Sequence, residues 1–335
     1  MLYYFSHSLS ARALYAFFIA FFCGMVFLPL FIRLSKRRRL VEKIKVETEV
    51  MKKQGVGKKN TPTMGGVIIV FSYLQTILLC GNWHNIYLLI ALVIVVAFSS
   101  LGISDDLIKT YTKRKGLKAR TKLVVSLIFA LAICYFMHLF VQDTSGAIAL
   151  CPVPISTGMW FILSTIVIAG SCHGVNLTDG IDGLAAGCSL MVIAFFTGLL
   201  ILSPESASEQ VREIIVSNFA LCGVCCAFLW FNSYPAQVFM GDCGALMLGA
   251  YIGYVAVITQ QHLLLVIAGG VFVVETLSSM IQMFTKKYLA RKVFICAPLH
   301  HHFLAKGISE PQLVVRFWIC QIFLIFAAIS LCIHL

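Results

Sequence analysis

The chain has 335 residues, of which 60% are hydrophobic and 12% charged, and its mean hydropathy is +0.92. Soluble domains carry roughly a quarter charged residues, and a globule this apolar lacks the polar side chains to cover its surface in water. Two soluble domains, disorder, a coiled coil and an extracellular disulfide scaffold are excluded, and the formal charge of +12 matters by its location rather than its size.

A helix crossing the hydrocarbon core needs about 20 mostly apolar residues. In chain order the expected spans are Ala13–Leu34, Thr63–Leu79, Ile86–Ile103, Leu123–Val141, Gly158–Val175, Leu184–Leu202, Ile214–Trp230, Cys243–Ile258, Leu263–Phe284 and Leu313–Ile333. The fold class expected is all-α: a polytopic membrane protein of about ten transmembrane helices, forming one integral membrane catalytic domain over residues 1–335. The first span is too long for a cleavable signal, and no small-residue cleavage site follows it.

Lysine and arginine set the expected orientation. Lys36-Arg37-Arg38-Arg39 and Lys43 to Lys59 lie between the first two spans, Lys109 to Lys122 between the third and fourth, and Lys286 to Lys306 between the last two. The other loops and ends hold only Arg12 and Arg212. Positive charge stays on the cytoplasmic side, so both termini are expected outside and the long polar loops inside. There is no internal repeat of the kind many transporters carry.

Thirteen cysteines fall mostly within the spans, and the Cys222, Cys225, Cys226 cluster has a metal-like look. On a lipid-buried helix, cysteine is ordinarily a small apolar packing residue.

The acids are more telling. Asp105 and Asp106, Asp179 and Asp182, and Asp242 all sit at cytoplasmic span ends. Asp242 and Asp182 each also suit a helix N-cap. The Asp105-Asp106 pair ends a span where the helix dipole disfavours negative charge, so it calls for Lys109, a divalent metal, or both. Oxygen ligands without a Cys/His cage suit Mg²⁺ or Mn²⁺. Glu275 is the one acid deep in a span; burial of its charge requires that it face the bundle, paired or protonated, in a role either structural or functional. Three consecutive histidines, His300, His301 and His302, cannot share one helical face and do not by themselves make a zinc site.

Five stretches in order carry a family resemblance: Thr61–Gly66 (TPTMGG), Asp105–Lys109 (DDxxK), Asn176–Leu184 (NLTDGxDGL), Phe231–Asp242 (FNxxPAxVFMGD) and Pro298–Phe303 (PLHHHF). Together they resemble the bacterial phospho-N-acetylmuramoyl-pentapeptide transferases, a branch of the polyprenyl-phosphate N-acetylhexosamine-1-phosphate transferase superfamily. The resemblance implies transfer of phospho-N-acetylmuramoyl-pentapeptide from UDP to undecaprenyl phosphate, giving lipid I and UMP with Mg²⁺, at the cytoplasmic face of the bacterial inner membrane. A homodimer is a further possibility.

It also implies roles: Asp242 and Asp105 as metal ligands, and Asp105, Asp106, Asp242 and His300 as catalytic residues. Lys109, Lys122, Lys58 and Lys59 would bind phosphate. Asn176, Asp179, Gly180, Asp182, Asn232, Phe239, Gln282, His301 and His302 would contact nucleotide or sugar. Asn60, Ala245 and Leu304 stand where the family usually has glycine, serine and glutamate, and none of these departures removes an implied ligand. A sister transferase acting on UDP-N-acetylglucosamine is the nearest alternative, against which the histidine run speaks. A transporter or flippase, the alternative from another class, would need ionisable groups near the membrane midplane.

Overall fold

The computed structural model describes residues 8–38, 61–112, 116–140, 156–203 and 208–334. Its helices are α1 (Leu9–Arg37), α2 (Gly66–Cys80), α3 (Ile86–Tyr111), α4 (Ala119–Phe140), α5 (Thr157–Thr178), α6 (Leu184–Leu202), α7 (Glu209–Asn232), α8 (Gly241–Ile258), α9 (His262–Ala268), α10 (Gly270–Tyr288), α11 (Leu299–Ala305) and α12 (Glu310–His334). Eight of these are long and apolar enough to cross a membrane, and α9 with α10 makes a ninth that is bent by 83°. The remaining expected span is α2, an apolar helix of only 15 residues. The chain is a polytopic all-α membrane protein among its described residues.

Local chemistry starts several helices where the sequence places a polar residue before an apolar run. The Asn85 side chain accepts the backbone N–H of Tyr87 and Leu88 at 2.9 and 3.2 Å, and Ser208 accepts that of Val211 at 3.3 Å. Two departures from expectation matter for the site and the core. Helix α3 runs on past Ile103 to Tyr111, which places Asp105, Asp106 and Lys109 within the helix rather than at or beyond its end. The ninth span breaks at Gly269 instead of running straight. The carbonyl of Ala268 freed at this break accepts the buried Gln321 amide of α12, since in lipid such a group must find a partner inside the protein.

Helix α8 is the axis of the bundle, buried along almost its whole length, and it packs chiefly against α3 and α5. Small residues let backbones touch there. A Cβ on Gly102 of α3 would collide with the Asp242 carbonyl and Cys243 Cα, and one on Gly66 of α2 with the Gly244 backbone. Helices α1 and α4 instead present Phe18, Phe22, Val26, Ile128 and Leu131 outward, as lipid-facing surfaces do.

Several polar groups inside the bundle pair with one another. Ser217 Oγ lies 2.7 Å from Tyr73 Oη and 2.6 Å from Tyr251 Oη, and Tyr251 donates to Asn218 Oδ1 at 2.8 Å. At one end of the bundle Arg12 pairs with the fully buried Glu213, whose other oxygen accepts the Asn82 N–H at 2.9 Å. The cysteines of the described residues are free thiols, and Cys222 and Cys225 are buried packing residues.

Replacing Gly102 with alanine must force α3 off α8. Overpacking of this kind costs about 1–3 kcal/mol, so the Gly102→Ala protein is expected to melt at a lower temperature in detergent than the parent. An unchanged melting temperature would show that the two backbones are not in contact.

Candidate active site

Asp105, Asp106 and Asp242 meet at the end of the bundle opposite Arg12. Each offers an oxygen within 4.8 Å of the others, and their exposures are 0%, 3% and 8%. Burial of three carboxylates requires compensation, and it comes here in two kinds, backbone N–H groups and lysine ammonium groups.

Asp106 is compensated by backbone. Its Oδ1 accepts the N–H of Asp242 at 3.2 Å and its Oδ2 that of Cys243 at 3.1 Å, so an acid from α3 caps the first turn of α8. The expectation that Asp242 caps its own helix is corrected: Asp242 lies inside the first turn, and the N-cap position is Met240. Asp182 likewise does not cap α6, which starts after the left-handed Gly183.

Asp105 and Asp242 are compensated by cations. Lys109 Nζ lies 2.7 Å from Asp105 Oδ2, 2.9 Å from Asp242 Oδ1 and 3.6 Å from Asp106 Oδ1. Lys122 Nζ on α4 lies 2.6 Å from Asp242 Oδ2 and 3.4 Å from Asp105 Oδ2. Asn176 near the end of α5 donates to Asp242 Oδ1 at 3.1 Å, and the Leu117 N–H reaches Asp105 Oδ1 at 2.6 Å. Three carboxylates face two ammonium groups in this constellation. The donor set is all oxygen, which fits a hard divalent cation. Asp105 and Asp242 are the better candidates to hold one, because both oxygens of Asp106 are already engaged by backbone.

Two loops form the walls beside this triangle. The Asn232 Oδ1 accepts the Gly183 N–H at 3.0 Å while its Nδ2 donates to the Val238 carbonyl at 2.8 Å. Asp182 Oδ2 accepts the Ala236 N–H at 2.8 Å, and the Asp182 N–H goes to Glu310 Oε1 at 2.8 Å. Asn232 and Asp182 therefore tie the loop after α5 to the loop before α8, and both are buried. The Thr61–Gly66 stretch lies alongside: Phe239 N–H donates to Pro62 O at 2.8 Å, and Gly65 N–H to Phe239 O at 2.9 Å. The Phe239 side chain itself is half-buried.

The histidines form a second cluster, joined to the first through the 176–182 loop. His300 is fully buried, with Nδ1 3.0 Å from Glu275 Oε2, and a Cβ on Gly180 would collide with its Nε2. The ring of His301 lies 4.3 Å from that of His300. Burial, and then the neighbouring His300, pushes the His301 imidazole down to about 3. His302 is also lowered, by burial and then by Lys306, and its Nδ1 accepts the Ile295 N–H at 3.1 Å. Gln282 accepts the N–H of Val293 and Phe294, both at 3.0 Å, and donates to Phe294 O at 2.8 Å. Its amide clamps the loop between α10 and α11.

Of the residues singled out from sequence, the structure thus brings Asp105, Asp106, Lys109, Lys122, Asn176 and Asp242 into direct contact. Asp179 and Gly180 line the loop leading to His300, while Asp182, Asn232, Gln282 and His302 are engaged with backbone. Lys58 and Lys59 lie outside the described residues. Sequence reading passed over Glu310, whose position before an apolar run signalled only a helix start, and left Glu275 without a partner.

Comparison with known proteins bears on this geometry. Residues 86–260, which contain the aspartates and both lysines of the triangle, match the model of glycosyl transferase family 4. Residues 58–70 match phospho-N-acetylmuramoyl-pentapeptide-transferase signature 1. A phospho-N-acetylmuramoyl-pentapeptide-transferase of Desulfosudis oleivorans is 40% identical over 95% of this chain and 92% of its own. One of Vesicomyosocius okutanii is 38% identical over 96% of this chain and 93% of its own. The chain belongs to this transferase family. A further member, from Campylobacter lari, is 36% identical over 94% of the chain and 93% of its own length.

Two outcomes test the arrangement of the histidine cluster. Gly180→Ala should displace the His300 ring and reduce turnover at least tenfold, by the rule that small misplacement of reacting groups is costly; parental turnover would show that the ring is not held there. His301 gives a pH signature. Unfolded, it takes up a proton near pH 6.5, while the folded ring stays neutral until about 3. Stability is then lost as pH falls below about 6.5. His301→Gln should lose less melting temperature than the parent between pH 7 and 5, and equal losses would contradict a folded ring held neutral.

Proposed function

We propose that the chain transfers phospho-N-acetylmuramoyl-pentapeptide from its UDP carrier to undecaprenyl phosphate, releasing UMP and forming lipid I. The observation that supports this reading best is the buried triangle of Asp105, Asp106 and Asp242 interleaved with Lys109 and Lys122 at one end of an apolar bundle. One substrate is a water-soluble nucleotide and the other a membrane-bound chain, so their reacting phosphates can meet only at a membrane surface.

The surface proposed is the cytoplasmic face of the bacterial inner membrane, with both termini outside. Lys36 and Arg37 close the last turn of α1, at the bundle end away from Arg12, and Lys109 and Lys122 stand at the triangle itself; positive charge is retained on the cytoplasmic side. Asp242 and Asp105 would hold Mg²⁺, which supplies charge neutralisation at the pyrophosphate. Lys109 and Lys122 are placed to trade carboxylate for phosphate oxygens, and the excess of carboxylates over ammonium groups suits uptake of a cation together with an anionic substrate. Asn176 keeps Asp242 in position. Asp106 serves chiefly to fix the start of α8, which carries Asp242, rather than to move a proton.

A phosphate monoester is already largely ionised near neutral pH, so attack by the lipid phosphate needs little help from a base. Phe239 is the side chain for stacking on uracil, and His300, His301, Asp179 and Gly180 border the pyrophosphate and sugar. Lys58 and Lys59 would add to phosphate binding.

Purified protein given undecaprenyl phosphate, Mg²⁺ and either UDP-N-acetylmuramoyl-pentapeptide or UDP-N-acetylglucosamine should release UMP with the first donor only. UMP release with the second donor alone would assign the sister reaction instead. Asp242→Asn should abolish Mg²⁺-dependent turnover in a protein that still folds. Phe239→Ala should weaken UMP binding by about 1–3 kcal/mol, the usual worth of a base stacked on an aromatic ring; unchanged affinity would remove the stacking role.

A further inference from the structure

Glu275 is the acid for which the sequence offers no function. It sits on α10 at 0% exposure, and the proposed reaction does not use it. Its carboxylate makes a two-point contact with one residue. Oε1 accepts the His300 backbone N–H at 3.1 Å, and Oε2 lies 3.0 Å from His300 Nδ1 and 3.4 Å from the backbone nitrogen. His300 is equally buried, and its Nε2 finds no hydrogen-bond partner. That atom packs against Gly180, an exposed glycine on the loop that leads back to Asn176 and Asp242.

A buried polar nitrogen without a partner is costly unless something supplies one. A carboxylate only accepts, so Nδ1 must carry the hydrogen, and in the neutral ring Nε2 is left as a lone pair. We infer that Glu275 is a positioning residue: by accepting both N–H groups of His300 it fixes the ring and its tautomer, and presents Nε2 beside Gly180 to a hydrogen-bond donor of the nucleotide-sugar substrate. This rests on the reading of the chain as a phosphoglycosyl transferase. The substrate group recognised is a hydroxyl or amide N–H, both of which an N-acetylated sugar carries.

Substituting Glu275→Gln distinguishes positioning from packing, because the introduced amide has the shape of the carboxylate with one acceptor and one donor. The fixed backbone N–H of His300 claims the amide oxygen. Nδ1 then faces an N–H, and the ring is driven to the opposite tautomer, with Nε2 a donor where an acceptor is needed. Two readouts follow. In steady-state kinetics Glu275→Gln should lower kcat on the order of tenfold or more with little change in the donor KM, should recover part of that in Glu275→Asp, and should cost nothing further in a His300→Gln background. In ¹⁵N-histidine spectra of the detergent-solubilised protein, His300 (assigned by its absence in His300→Gln) should show an unprotonated Nε2 in the parent and a protonated one in Glu275→Gln.

Parental kcat in Glu275→Gln, an equal loss in both backgrounds, or an unchanged tautomer would each overturn the inference. Should Glu275→Gln not fold, Glu275→Asp and the parent spectrum decide by the same tautomer criterion. A parent protein that releases no UMP but shows the Nδ1–H tautomer would count against the proposed reaction and not against the role of Glu275.

Discussion

Three carboxylates within 4.8 Å of one another, nearly or fully buried at the end of an apolar bundle, cannot stand uncompensated. The local arrangement follows from how their charge is balanced. One acid is held by hydrogen bonds from the first backbone N–H groups of α8, which ties α3 to α8. The other two draw in Lys109 and, from α4, Lys122, with Asn176 of α5 completing the set. Four helices are thus held in register at one end by electrostatics, where lipid-facing apolar contacts alone would leave them free to slide.

The loops around the triangle obey the same requirement on a smaller scale. Asp182, Asn232, Gln282 and His302 spend their polar atoms on backbone groups that no helix satisfies. They act as structural ties, and under the proposed function Phe239, Asp179, Gly180, His300 and His301 are the residues expected to meet the nucleotide sugar. Close backbone approach at Gly102 and Gly66 is the steric half of the design: it brings α2, α3 and α8 near enough for the Asp106 cap to form.

Much of this was legible in the sequence, because the membrane simplifies it. The segment Leu184–Leu202 is bounded in the structure as its apolar run suggests. The DDxxK and FMGD stretches identified the acids that converge. What was not legible arises from tertiary contact. A hydropathy ruler ends α3 at Ile103 because Asp105 and Asp106 are charged, yet the helix continues since both are buried against partners from other helices. The break at Gly269 depends on Gln321, 53 residues beyond Ala268, to donate to the carbonyl it frees. The N-cap signal at Asp242 misled for a related reason: the capping carboxylate comes from Asp106 in another helix. Glu275 could be recognised as buried but not as the partner of His300, since nothing local links residues on α10 and α11.

Binding of Mn²⁺ to the purified protein, followed by electron paramagnetic resonance, probes the acidic cluster most directly, as it needs neither substrate nor turnover. One saturable ion per chain is expected in the parent, displaced by Mg²⁺ and lost in proteins carrying Asp242→Asn or Asp105→Asn. Mn²⁺ binding of undiminished affinity in both variants would contradict the assignment of these two carboxylates as its ligands.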